Sequence, residues 1–276
     1  MTVKNILVAY NGTESCDAAL DAALYLRDKY DAHLTGLLAY AVPAANPAVN
    51  AWMPQNVEAL LEEAVQDATK QVQQKFEELT AGADAQEKIH WIAALEQSDA
   101  TVARYARMYD LTVIGRYEAI QGEARTVLHP DTIAMISGRP VLLIPRRFDM
   151  STFGEHAVVA WDGRRASARA LADAMQILES ESLVTVATVA EGGVKARLPG
   201  MDIETNLKRH GVNANSVSLE KKGRSISKTI LTFLKESQPN LLVIGAYEHS
   251  KFRQTVVGGV TKKVLKKARM PILISH

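Results

Sequence analysis

The groups in this sequence best suited to chemistry are a glycine pair ahead of an apolar helix and the polar residues that flank it. Residues 245–261 read Gly-Ala-Tyr-Glu-His-Ser-Lys-Phe-Arg-Gln-Thr-Val-Val-Gly-Gly-Val-Thr, and Val260, Val264, Leu265 and Ala268 then recur along one helical face. Gly258 and Gly259 therefore fall at a helix N-terminus, where backbone N–H groups are unpaired and the helix dipole favours an anion. Lys251, Arg253 and His249 are nearby donors that could complete a phosphate site. A second candidate is Asp162 before Gly163, at the end of a short apolar run. Each group also has a plainer reading: the glycine pair as a tight start to a helix, and Asp162 as an Asx turn or helix cap.

Catalytic constellations are missing from the sequence. There is no Walker lysine loop, no Gly-x-Gly-x-x-Gly opening a helix, no His-Glu-x-x-His and no Gly-x-Ser-x-Gly. Ser15, Cys16 and Asp17 follow a turn, but no base is placed beside them. His90, His129 and His276 lack metal-ligand spacing, and His249 reads as a loop hydrogen-bond donor. The cations Lys262, Lys263, Lys266, Lys267 and Arg269 suit the last turns of a helix and read as a solvated face rather than a nucleic-acid surface. A binding protein is expected before an enzyme.

These groups need a framework, and the chain supplies one twice. Ile6-Leu-Val-Ala-Tyr-Asn-Gly recurs as Val158-Val-Ala-Trp-Asp-Gly, Leu111-Thr-Val-Ile-Gly as Leu241-Leu-Val-Ile-Gly, and Arg139-Pro-Val-Leu-Leu-Ile as Met270-Pro-Ile-Leu-Ile. An alanine-rich helix follows each first strand, through Ala18, Ala19, Ala22, Ala23 and Leu26, and through Ala168, Leu171, Ala172, Met175 and Leu178. Strands are expected near 4–10, 33–40, 88–93, 111–115 and 140–145, and again near 156–161, 183–189, 214–219, 241–245 and 271–275. Helical stretches lie between them, including Val57–Leu79 and Lys228–Lys235. Continuous Val/Ile/Leu strands alternating with helices predict two tandem open α/β domains, Rossmann-like, each a five-stranded parallel sheet with helices on both faces. Their expected spans are 1–147 and 155–276, joined by a polar linker over Arg146–Glu155. The loop Val42–Gln55, with three prolines, Trp52 and Met53, suggests a lid or contact surface. Sheets of this kind bind ligands beyond the carboxyl ends of their strands, which is where Asn11, Asp162, Gly115 and Gly245 fall.

The residues after Leu241-Leu-Val-Ile resemble the universal stress protein family, whose nucleotide-binding members carry Gly, two residues, Gly, nine residues, Gly, then Ser or Thr. The likeness extends over both copies and identifies the chain as similar to a tandem member with an adenine nucleotide alpha hydrolase-like fold. It implies that Asp162, with Ala160 and Gly163, meets adenine or its ribose, and that Val189 lines the adenine pocket. Ile244, Gly245, Gly258, Gly259, Val260 and Thr261 would hold ribose and phosphates with His249 and Arg253. ATP or AMP with Mg2+ is the implied ligand, with no other metal and no redox cofactor. Two motif positions depart from the pattern: Glu248 stands in place of the second glycine, and Gly259 in place of the hydroxyl residue, for which Thr261 is the nearest substitute. The first copy departs further, with Asn11 for the aspartate, Glu118 for glycine and Leu128-His129-Pro130 at the glycine pair, so only the second copy is expected to bind nucleotide. The resemblance also implies a stress-response regulatory role. The alternative is a dimeric interaction scaffold of the same fold that has lost nucleotide binding.

Composition agrees with a globular protein: 276 residues, 47% hydrophobic and 23% charged. The formal net charge of +1 conceals an asymmetry, because residues 1–150 hold 13 Lys+Arg against 20 Asp+Glu and residues 151–276 hold 19 against 11. An acidic first half and a basic second half are self-complementary, within the chain or across a homodimer. The two copies are expected to bury edge strands or helical faces against each other. The single cysteine, Cys16, excludes an intrachain disulfide and points to a reducing, cytoplasmic setting, and no apolar run approaches a membrane span.

Overall fold

The structure is a computed structural model that describes residues 2–39, 55–94, 98–116, 128–190, 201–246 and 259–276. Its strands are β1 (Asn5–Ala9), β2 (His33–Ala39), β3 (Ile89–Ala94), β4 (Leu111–Gly115) and β5 (Val141–Ile144) in the first half. The second half holds β6 (His156–Ala160), β7 (Leu183–Ala190), β8 (Ala214–Glu220), β9 (Leu241–Gly245) and β10 (Ile272–Ser275). The helices are α1 (Glu14–Tyr30), α2 (Gln55–Thr80), α3 (Ser98–Ala106), α4 (Pro130–Ser137), α5 (Arg165–Leu178), α6 (Ile203–Arg209), α7 (Ile226–Ser237) and α8 (Gly259–Lys267). Each expected strand is present within a residue or two. Most of the loop Val42–Gln55, Trp52 and Met53 included, lies outside the described residues.

Within each half the strands are parallel and follow one order: β3-β2-β1-β4-β5 and, mirrored along the same sheet, β8-β7-β6-β9-β10. The halves do not remain two sheets. β5 and β10 pair antiparallel, with Leu142 opposite Leu273 and Leu143 opposite Ile272, and close a single ten-stranded sheet. Val-Leu-Leu-Ile and Ile-Leu-Ile-Ser are apolar on both faces, and either strand left as a free edge would expose unpaired N–H and C=O groups; pairing them removes both edges at once.

One apolar layer covers each face, and both layers run across the junction. The first gathers α1 and α5 residues such as Leu20, Leu26, Ala170 and Leu178 with Ile6, Val159 and Leu273. The second gathers α3, α4, α7 and α8 residues such as Val102, Ile133, Ile230 and Val264 with Leu7, Val158 and Ile274. Of the expected stripe of α5, Leu171 and Leu178 are buried and Met175 half-buried, whereas Ala168 and Ala172 are exposed and Ala166, Ala170, Ala174 and Ile177 face inward instead. Alanine is compatible with either side of a helix, and the close approach of β9 to the first turn of α5 selects the face.

The segment after β5 is pinned rather than free. Asp149 Oδ1 accepts from the Ser151 N–H at 2.9 Å, and buried Phe153 lies edge-on to Tyr25 of α1 with centroids 6.1 Å apart. Beside it Glu181, 6% exposed, has no hydrogen-bond partner for either carboxyl oxygen among the described residues. Burial pushes its carboxyl up to about 7, with Lys29 across the junction opposing the shift. Burial likewise lowers the Lys29 ammonium. A folded-state value above the unfolded one means that this contribution to stability is complete below pH ~4.5 and is lost as pH rises through about 7. Glu181→Gln is therefore expected to stabilise the chain at pH 8 by about 2 kcal/mol, allowing for partial hydration, with little effect at acid pH. Urea midpoints of both proteins across this range measure it, and parallel pH profiles would refute it.

Candidate functional site

The carboxyl ends of β6 and β9 carry the candidate residues of the second half. Ala160, the last residue of β6, lies opposite Ala187 of β7 and Ile244 of β9, and the following Trp161 N–H donates to the Ala187 carbonyl at 2.9 Å. Asp162 is exposed at the rim. Its Oδ1 accepts from the Arg164 N–H at 3.0 Å and from Ser167 Oγ at 2.7 Å, which makes it an Asx turn that also anchors the first turn of α5. Gly163 completes that turn with φ +74°. Val189 lies half-buried near the end of β7, packed on the second apolar layer, and Ile244 is buried in that layer.

Gly245 is required by a close approach. A Cβ there would lie 2.4 Å from the Ala166 carbonyl carbon and 2.6 Å from the Ser167 nitrogen, both backbone atoms of α5. Gly115 stands in the same relation to α1, with the Ser15 carbonyl oxygen 2.1 Å from its virtual Cβ. Cys16 Sγ donates to Asn11 Oδ1 at 3.0 Å, as Ser167 does to Asp162. The two halves thus share one construction: strand end, Asx turn, helix, and a glycine on the fourth strand against that helix. Burial pushes the Cys16 thiol up, and Ser15 Oγ donates to the Arg116 carbonyl, so neither side chain is poised as a nucleophile.

The halves differ at the helix that follows the fourth strand. In the first, His129 precedes Pro130 of α4 and donates to Asp99 twice, from its backbone N–H at 3.0 Å and from ring Nδ1 at 2.7 Å. A carboxylate thus already occupies this helix N-terminus, Asp131 adds a second acid in the first turn, and Pro130 contributes no N–H. In the second, Gly259 opens α8 exposed, with no atom of the described residues within 4 Å of its virtual Cβ and no acid in the first turn. Val260 is half-buried and Thr261 buried. Glu248, His249, Lys251, Arg253 and Gly258 lie outside the described residues.

The first half fills its strand end from within as well. Lys75 of α2 donates to the Gly12 carbonyl at 2.8 Å and to Asp17 at 2.7 Å, and Asp17 accepts from Tyr10 Oη at 2.7 Å. Phe76 packs against Tyr10 and Trp91, with centroids 5.6 and 4.9 Å away. Sequence reading missed Lys75 and Asp99, and no spacing signal could have found them: each reaches its partner from an element tens of residues away. Among the described residues no group of three His, Cys, Asp or Glu side chains is arranged to hold a metal ion, and no helix is long and apolar enough to cross a membrane.

The model of the universal stress protein family matches residues 155–276. No curated protein matches the chain. Among solved structures, a universal stress protein from Archaeoglobus fulgidus is similar over 100% of this chain and 99% of its own, with 15% identity and a TM-score of 0.73. A protein of unknown function from Pseudomonas aeruginosa is similar over 99% of this chain and 92% of its own, with 15% identity and a TM-score of 0.57. Residues 155–276 thus match the universal stress protein family, and over its whole length the chain is similar in fold to the universal stress protein from Archaeoglobus fulgidus.

Proposed function

We propose that the second half binds an adenine nucleotide, ATP or AMP, and that the chain is a cytoplasmic stress-response regulatory module rather than an enzyme. The observation that carries this is the contrast between the two helix N-termini. That of α4 already holds the Asp99 carboxylate, whereas α8 begins at exposed Gly259 with no acid in its first turn. An anion gains from the unpaired N–H groups of α8 and from its dipole. Around that point the described residues fit a nucleotide in part. Gly259, Val260 and Thr261 would offer backbone donors to phosphate, exposed Asp162 would meet the ribose or adenine, and half-buried Val189 with Ala160 would form an apolar wall. Gly163 and Gly245 shape the backbone around them. A bound nucleotide would bring Mg2+ on its phosphates. The first half acts as a structural partner that shares the sheet and both apolar layers.

The test is to denature the purified full-length chain, analyse the released small molecules for nucleotide, and titrate the protein calorimetrically with ATP and AMP in the presence of Mg2+. Binding in the micromolar range is expected, and Gly259→Glu, which sets a carboxylate at the α8 N-terminus as Asp99 does at α4, is expected to weaken it at least ~10-fold. No measurable binding at millimolar ATP overturns the proposal.

A further inference from the structure

At the opposite end of α8 from Gly259, roughly 13 Å away along the helix, lies a cleft of about 860 Å³ lined by Arg116, Pro145, Arg146, Arg147, Lys266, Lys267 and Arg269. Among the described residues six of the seven that line it are cations and none is an acid. Three come from the first half, at the carboxyl ends of β4 and β5, and three from the second, at the C-terminal end of α8. The antiparallel β5–β10 pairing brings the two sets together.

Two of the cations have structural duties. The Arg116 guanidinium donates to the carbonyls of Lys266 and Ala268, satisfying orphan acceptors at the end of α8 and fastening the first half to the second. Arg146 pairs with Glu14, which stands outside the lining set. Arg147, Lys266, Lys267 and Arg269 are exposed and, among the described residues, face no carboxylate in the cleft. The pseudo-symmetric position is different: Ala246 replaces Arg116, and His276 donates from Nδ1 to the Ala246 carbonyl at 2.8 Å.

We infer that this cleft is a binding site for an oligophosphate chain, bridging the two halves of the protein. Like charges confined to so small a space repel unless an anion joins them. Arginine forks suit phosphate oxygens bidentately, and the volume falls within the range of small-molecule sites. Among the described residues no aromatic side chain lines the cleft, so they offer no platform for the base stacking that single-stranded nucleic acid uses. Charge without stacking selects a compact polyanion, and the chemistry is met equally by free inorganic tripolyphosphate and by the triphosphate tail of a nucleotide.

Calorimetric titration of the full-length chain with inorganic tripolyphosphate tests this. Binding in the micromolar range at low ionic strength is expected, weakening as salt is raised. The double variant Arg147→Glu/Arg269→Glu, at exposed positions, is expected to lower affinity at least ~100-fold. Lys262→Glu/Lys263→Glu, which changes net charge equally on the exposed face of α8, is expected to lower it less than ~3-fold. Absence of tripolyphosphate binding overturns the inference, as does equal weakening by both variants, which would reduce the effect to overall charge. Displacement of tripolyphosphate by single-stranded RNA at lower concentrations would reassign the cleft and also overturn it. ATP separates the two sources. If the cleft variant loses ATP together with tripolyphosphate, the nucleotide tail is the ligand; if it keeps ATP, the inorganic chain is. Tripolyphosphate binding by a protein that binds no ATP would leave the cleft standing and remove the nucleotide proposal alone.

Discussion

Gly245→Val is expected to unfold the chain under conditions in which the parent is folded, with a loss of at least about 3 kcal/mol. The cause is local and severe. The atoms facing the added Cβ are the carbonyl carbon of Ala166 and the nitrogen of Ser167, at 2.4 and 2.6 Å, and both belong to the first turn of α5. Backbone in a helix anchored by Asp162 and Ser167 cannot step aside as a flexible side chain can, so either β9 or α5 must move. Gly259 is the control. With no atom of the described residues within 4 Å of its virtual Cβ, Gly259→Ala is expected to stay within about 0.5 kcal/mol of the parent. Urea denaturation followed by circular dichroism distinguishes them, and equal stability of the two variants would contradict the packing argument. Gly115→Val repeats the experiment in the first half, against Ser15.

The second large effect is expected at the junction. Leu142 and Leu273 lie opposite each other in the β5–β10 pair, and neither is exposed at all. Leu142→Ala and Leu273→Ala are each expected to cost about 2–5 kcal/mol, the lost burial plus the cavity left behind. The double variant should depart from additivity because the two positions are cross-strand partners. Both apolar layers continue across this pair, so the chain should unfold in one transition and each variant should shift it as a whole. Calorimetry with fluorescence of Trp91 in the first half and Trp161 in the second provides the test. Separate midpoints, with only one of them displaced, would show that the halves are independent and that the pairing is not structural.

The structure also explains why two copies of one unit have come to differ in chemistry. Each half presents a strand end, an Asx turn and a helix N-terminus at its own edge. In the first half these are occupied by the protein itself: Lys75 on the Gly12 carbonyl, Asp99 on the start of α4. A helix N-terminus capped by a carboxylate has already gained what a phosphate would provide. Asp99 is one of the acids that make up the negative charge excess of residues 1–150. The excess of cations in the second half meets three arginines of the first at the junction cleft.

Much of this architecture was legible in the residues alone. Short runs such as Leu111-Thr-Val-Ile-Gly and Leu241-Leu-Val-Ile-Gly declare buried parallel strands, because a strand covered on both faces needs apolar side chains at every position. Their recurrence in one order declares the doubled unit. Those are local properties, set by side-chain type and spacing, and the strands and helices follow from them. Asp162 could be seen in advance as ligand contact or as Asx turn, and only the placement of Ser167 and the Arg164 N–H shows that its Oδ1 is engaged in the turn. The joining of two five-stranded sheets into one, the Asp99 cap on α4 and the meeting of Arg116 with the end of α8 depend on residues about 30 to 150 positions apart. No periodicity encodes such pairs. They arise when two apolar edges find each other and the surrounding side chains settle around that contact, and tertiary structure alone decides which charges then share a cleft.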